Sequence, residues 1–269
     1  MNFTETLSIR KPASFRLEAV DPDSTPGAKG KEQARTRIEK NAAAIDELQY
    51  RLFAENQRSL LIVLQAIDAG GKDGAIRTLS GGMNPQGCTV TSFKKPSEVE
   101  LDHDFLWRVH QAVPRRGEIG IWNRSHYEDV LVVRVHELVP KSVWSARYEQ
   151  INRFEANLVA ADVHILKFLL HISRDEQKER FQARLDDPEK HWKFSPADVE
   201  ERKHWDAYMK AFEAAIRKCH TADAPWFVIP ANKKWYRDLA ITEIVRETME
   251  SWKMQYPKPS FDPKSIRIE

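Results

Sequence analysis

A three-layer α/β sandwich around a mainly parallel sheet is predicted by three features of this 269-residue chain. Short apolar, β-branched runs alternate with helical patterns, as expected of strands covered by helices on both faces. The first clear run, Leu60–Leu64, feeds a glycine-rich turn with a single lysine: Asp68-Ala69-Gly70-Gly71-Lys72-Asp73-Gly74. A helical pattern (Ala75, Ile76, Leu79) follows that turn directly.

Taken in order, residues 1–30 carry Pro12, Pro22, Pro26, Gly27 and Gly30 and read as an extended N-terminal arm. From Lys31 to Glu55, Ile38, Ala42, Ile45, Leu48 and Leu52 recur at helical spacing and predict one amphipathic helix. After the first strand, Thr89–Phe93, Ile119–Trp122, Ile165–Ile172 and Trp226–Ile229 are strand-like. Helical patterns occupy Val99–Gln111, Lys141–Ala160, Arg174–Leu185 and Pro196–Cys219. Residues 31–269 are expected to form a single domain, with its site beyond the carboxyl ends of the strands.

Bulk properties narrow the function. Apolar content of 41% and charged content of 30% are ordinary for a globular enzyme. A net charge of +2 argues against coating nucleic acid through bulk charge, so an anion site must come from local clustering. Cys88 and Cys219 have neither disulfide-framework nor metal-ligand spacing and read as buried, unreactive thiols. Neither a signal peptide nor an apolar run near the roughly 18 residues of a membrane span is visible, so the cytoplasm is the expected compartment.

Three clusters can do chemistry. The strand–turn–helix layout around Gly70, Gly71 and Lys72 is that of a phosphate-cradling P-loop, whose amides, lysine and helix start face an anion. It is irregular: Ala66 replaces the usual first glycine, Asp73 replaces the hydroxyl residue after the lysine, and Asp68 adds a carboxylate. The second cluster, Asn123-Arg124-Ser125-His126-Tyr127-Glu128-Asp129, begins where the Ile119–Trp122 strand ends. Arg124 offers a planar donor fork, and Glu128 and Asp129 can hold Mg²⁺ directly or through water. His126 reads as a hydrogen-bonded structural histidine. The third cluster, about 173–210, has two capping-box starts (Ser173 with Glu176, Ser195 with Asp198) and a basic run between them. It includes Arg180, Arg184 and Lys193 and is laid out as a helical lid over a polyanion. The stripe Val199, Arg202, Trp205, Tyr208, Phe212, Ile216 reads as core packing.

These blocks, with Asp187-Pro188 through Trp192-Lys193 and Ile229-Pro230-Ala231-Asn232-Lys233, resemble the second polyphosphate kinase family, and within it class III. The resemblance implies a P-loop kinase-like fold and transfer of a terminal phosphoryl group between inorganic polyphosphate and AMP or ADP, giving ADP or ATP. It implies Mg²⁺ (or Mn²⁺ in its place) as the metal and a homo-oligomer as the assembly. Asp68, Lys72, Arg124, Asn123 and Glu128 are the expected catalytic residues. Ala69, Gly70, Gly71, Lys72, Asp73 and Gly74, with Arg180, Arg184 and Lys193, are expected to bind phosphates, and Asp68, Glu128 and Asp129 to hold the metal. Many family members carry Asp where this chain has Asn123, so Glu128 or Asp129 is expected to take over that ligand role. The alternatives are an ADP-only phosphotransferase, an ATP-driven nucleotide kinase, or an anion-binding module without turnover; neither nucleic acid nor membrane is an expected partner.

Overall fold

The structure is a computed structural model that describes residues 2–268. Strand β1 (Ser59–Gln65) is buried along its whole length, because it lies inside a sheet of order β2-β3-β1-β4-β5. The other strands are β2 (Cys88–Ser92), β3 (Ile119–Asn123), β4 (Val163–His171) and β5 (Trp226–Pro230), and every pairing is parallel. A strand covered on both faces needs an unbroken apolar run, which Leu60–Leu64 supplies.

The helices are α1 (Phe3–Thr6), α2 (Lys31–Glu55), α3 (Lys72–Ser80), α4 (Glu98–Leu101), α5 (Trp107–His110), α6 (Val132–Val135), α7 (Lys141–Ala160), α8 (Arg174–Leu185), α9 (Pro196–Glu201), α10 (Trp205–Cys219) and α11 (Lys234–Ser251). The predicted helices at Lys31–Glu55, Lys141–Ala160 and Arg174–Leu185 keep their bounds. Two predicted helices are broken. Between α4 and α5, Asp104 Oδ1 accepts from Leu106 N at 2.9 Å, a local side-chain bond that competes with helix continuation. Between α9 and α10, Arg202–His204 tighten into a 3₁₀ turn, where Arg202 Nη1 donates to Arg174 O (2.6 Å) and Gln177 Oε1 (3.0 Å).

The first thirty residues lie against this body through short helical turns. Phe3 and Leu17 are buried, Phe3 N donates to Glu247 Oε1 (2.9 Å), and Leu17 N donates to Glu213 Oε2 (2.9 Å). Ser8 bridges antiparallel to Phe227 and so covers part of the free edge of β5. Cys219 is buried and Cys88 half-buried, and burial pushes the thiols up to about 12 and about 11. Trp205, Tyr208, Phe212 and Ile216 pack in the core as expected, while Val199 is exposed. Among the described residues no helix is long and apolar enough to cross a membrane.

Candidate active site

In the registered sheet Leu64 lies beside Asn123, so the loops leaving β1 and β3 emerge side by side at the carboxyl edge. Arg124 N donates to Leu64 O at 3.0 Å and ties the second loop to the first strand. Arg124 has φ +64° and Ala69 has φ +59°, left-handed conformations that non-glycine residues seldom adopt. Held this way, Arg124 reaches across to the first loop. Its Nη2 pairs with Asp68 Oδ1 at 2.8 Å, and its Nη1 lies 3.4 Å from Glu128 Oε2. Glu128, then Asp68, hold the guanidinium in its charged form against burial.

The loop turns tightly because Gly70 N donates to Ile67 O at 3.0 Å. A Cβ at Gly70 would stand 2.4 Å from Ala66 Cβ, so no larger residue fits. Ala66 itself, in the usual first-glycine place, is buried and offers its carbonyl to Lys72 Nζ at 2.9 Å. Lys72 opens α3 and is buried; desolvation, reinforced by the Arg124 charge, brings its ammonium down to about 8. The next residue, Asp73, accepts from Asn123 Nδ2 at 2.9 Å.

Glu128 and Asp129 sit on the 3₁₀ turn His126–Val130 but face different ways. The hydrogen-bonding pattern orients the Gln65 amide nitrogen toward Glu128 Oε1 (3.0 Å) and its oxygen toward Ser125. Asp129 instead pairs with Arg147 Nη1 at 2.8 Å, and burial raises its carboxyl to about 6 despite Arg147 and Arg108. Asp68 and Glu128 are thus brought together, whereas Asp129 is held by helix α7. Two carboxylates without histidine or cysteine form a hard oxygen donor set that suits Mg²⁺ or Mn²⁺. Among the described residues no group of three or more His, Cys, Asp or Glu side chains is gathered as a metal site.

The predicted lid residues are not equivalent. Arg180 is buried and its guanidinium is fully engaged: Nε with Glu176 Oε1 (2.6 Å), Nη1 with Ala69 O (2.9 Å), and Nη2 with Ala231 O (2.6 Å) and Asn232 O (3.1 Å). It staples the glycine-rich loop to α8 and to the loop after β5. Arg184 Nη1 donates to Lys193 O at 3.0 Å, and Lys193 Nζ lies 4.7 Å from the Trp192 ring centre. Arg184 is half-buried near the end of α8, and Lys193 stands on the exposed turn Pro188–Lys193.

His126 is structural, as predicted: it is buried, held neutral by desolvation, and 3.2 Å from Glu155 Oε1. Behind it lies a buried network that the sequence reading missed. Lys167, in the middle of β4, donates to Glu155 Oε2 (2.5 Å), Cys219 O (2.6 Å) and Tyr127 Oη (3.0 Å). Its signal was a lone lysine inside an otherwise apolar strand. Arg237 was missed as well, and Asn232, within the Ile229–Lys233 block, had been given no role. Asn232 Oδ1 accepts from Ser173 N (2.9 Å), and its Nδ2 donates to Asp23 Oδ2 (2.8 Å), which joins the arm to the start of α8.

A parallel α/β sandwich with a lysine-bearing glycine loop and paired acids at its carboxyl edge defines the kinase-like class of phosphotransferases. The family model described as "Polyphosphate kinase 2 (PPK2)" matches residues 28–257, and the chain belongs to that family. It is 52% identical over 264 residues to a Meiothermus ruber protein named AMP/ADP-polyphosphate phosphotransferase, covering 97% of this chain and 98% of the relative. It is 47% identical over 251 residues to a Rhodopseudomonas palustris ADP-polyphosphate phosphotransferase, covering 89% and 86%. The crystal structure of polyphosphate kinase 2 from Arthrobacter aurescens TC1 superposes with a TM-score of 0.95 at 42% identity, covering 98% of this chain and 95% of that one.

Proposed function

We propose that this protein transfers the terminal phosphoryl group of inorganic polyphosphate to AMP and ADP, giving ADP and ATP, and that the reaction runs in both directions. The observation that carries this reading is the ion-paired group Asp68–Arg124–Glu128 beside the Gly70–Lys72 loop. The name of the Meiothermus ruber relative supports AMP as an acceptor alongside ADP.

In this mechanism the loop amides and Lys72 grip the donor phosphates. Arg124 neutralises charge that develops on the transferred group, the main catalytic task in phosphoryl transfer. Asp68 orients the acceptor phosphate. An acceptor phosphate oxygen bonds to the terminal phosphorus as its bond to the bridging oxygen breaks, and the electron pair leaves with the shortened chain. That acceptor oxygen is already anionic at neutral pH, so no strong general base is needed. Asp68 and Glu128 would hold Mg²⁺, which supplies further charge neutralisation to the phosphates when bound. Arg184 and Lys193 on the lid meet the incoming chain, while Arg180 braces the loop.

The test is incubation with AMP, Mg²⁺ and long-chain polyphosphate in the absence of ATP, followed by nucleotide analysis. ADP and then ATP are expected. Product from ADP alone would restrict the acceptor to ADP, and turnover only with ATP as donor would overturn the reading.

A further inference from the structure

Two glycines of the loop, Gly71 and Gly74, are three positions apart and face the same object. A Cβ at Gly71 would stand 2.2 Å from Arg237 Nη1, and one at Gly74 would stand 2.8 Å from Arg237 Nη2. Gly71 also has φ +101°, a backbone conformation that side chains rarely tolerate, but Gly74 lies inside α3. Glycine weakens a helix relative to alanine, so a close neighbour is the physical reason to keep it there. That neighbour comes from α11, more than 160 residues further along.

Arg237 is 4% exposed. Its Nε donates to Asp238 Oδ1 at 2.8 Å and its Nη2 lies 2.7 Å from the same oxygen. Nη1 has no hydrogen-bond acceptor among the described residues and lies against the loop. A largely buried arginine that keeps one donor nitrogen uncommitted at the edge of the loop leaves charge available there, which points to a role for that charge. Arg180 Nη1 lies near the same point, 3.4 Å from the Gly71 Cβ position.

We propose that Arg237 is a positioning residue of the phosphate loop: it fills the slot left by Gly71 and Gly74, fixes the loop's shape, and places a permanent positive charge behind the donor polyphosphate. This rests on the function proposed above. The two loop glycines thus serve an internal arginine as well as the approach of an anion. Arg237 is assigned to the donor side because the loop it fills is the one that grips the donor phosphates in the function proposed above.

The experiment is a two-by-two set: the parent protein, Arg237→Ala, Gly74→Ala and the double variant, with Arg237→Lys alongside. The readouts are KM for long-chain polyphosphate, KM for AMP, and the thermal midpoint. Arg237→Ala is expected to raise the polyphosphate KM at least about tenfold while the AMP KM moves less than about threefold; a merely structural brace would not split the two. Gly74→Ala should reproduce that rise in the parent and add less than about threefold in the Arg237→Ala background, where the slot is empty. Arg237→Lys keeps the charge without the planar fork and should fall between the parent and Arg237→Ala. An unchanged polyphosphate KM in Arg237→Ala, or an equal Gly74→Ala penalty in both backgrounds, overturns the proposal. Should Arg237→Ala fail to fold, a polyphosphate KM unchanged in Arg237→Lys overturns it instead. A parent that makes no ADP from AMP and polyphosphate sinks the function proposed above; calorimetric binding of tripolyphosphate, parent against Arg237→Ala or, if that does not fold, against Arg237→Lys, then decides the role of Arg237 separately.

Discussion

Asn123 donates its side-chain amide to Asp73 Oδ1 at 2.9 Å, across the gap between the end of β3 and the first turn of α3. Two sequence irregularities, Asp73 in the glycine-rich loop and Asn123 at the end of β3, are therefore one feature. An amide at position 123 suits a carboxylate at position 73, whereas a second carboxylate would confront it. Asn123→Asp is expected to cost about 1–2 kcal/mol of stability at pH 7, from the lost bond and the like-charge contact. Thermal unfolding should show that the swapped pair Asn123→Asp with Asp73→Asn recovers most of it.

Arg124 holds Asp68 and Glu128 with separate nitrogens, which a point charge cannot do. Arg124→Lys is expected to lower kcat about 10²-fold and Arg124→Ala about 10³-fold, the range for removing one stabilising donor group. Steady-state assays with AMP and polyphosphate check this, alongside melting curves that should stay close to the parent.

Lys72→Ala and Asp68→Asn should each abolish turnover and leave the fold intact. Full activity in either would refute the assigned mechanism. Because burial and Arg124 bring Lys72 down to about 8, its charged form is lost as pH rises through that value. The kcat/KM for polyphosphate in the free enzyme should therefore fall above about pH 8. Bound phosphates favour the charged lysine, so the fall in kcat should come at higher pH.

His171, at the end of β4, is lowered to about 4 by burial, against the raising influence of the Val20 backbone and Asp21. Its folded value lies below the unfolded 6.5, so the stability it contributes is complete above pH 6.5 and is lost as pH falls toward 4. The full shift corresponds to about 3 kcal/mol, and partial exposure reduces this to about 2 kcal/mol. Denaturant titrations of the parent and His171→Gln at pH 7 and pH 4 should differ by that amount in their pH dependence.

Lys167 is fully buried and, among the described residues, pairs with the carboxylate of Glu155 alone. Lys167→Met is expected to cost about 3–5 kcal/mol, because Glu155 is left buried and uncompensated. Adding Glu155→Leu should recover much of the loss, as measured by chemical denaturation.

The sheet was legible because fully buried parallel strands need uninterrupted apolar runs, and Leu60–Leu64 and Ile119–Trp122 are such runs. Their adjacency then put Asp68 near Arg124, since loops from neighbouring parallel strands leave at the same edge. Side-chain direction was less legible. Glu128 and Asp129 are consecutive, and consecutive residues of a helical turn point apart, so Asp129 meets Arg147 rather than Asp68. Arg180 carries the same charge as Arg184, yet only the structure shows its nitrogens bonded to carbonyls of the two loops. Arg237 was hidden by sequence distance, although two glycines on one helical face already marked an occupied slot.

Asn232 and Asp23 are 209 positions apart in the chain. Their bond, with those of Asn232 to Ser173 and Arg180, makes the site dependent on a contact that closes late, since pairings this distant carry the largest loop-closure cost. During synthesis, Asp68, Lys72, Arg124 and Glu128 all leave the ribosome well before Asn232 and α11 do. A chain interrupted before residue 232 holds every ion-paired acid and base of the centre but lacks the clasp that fastens its loop. Competence therefore waits until β5 and α11 have been made and can return to meet the first thirty residues.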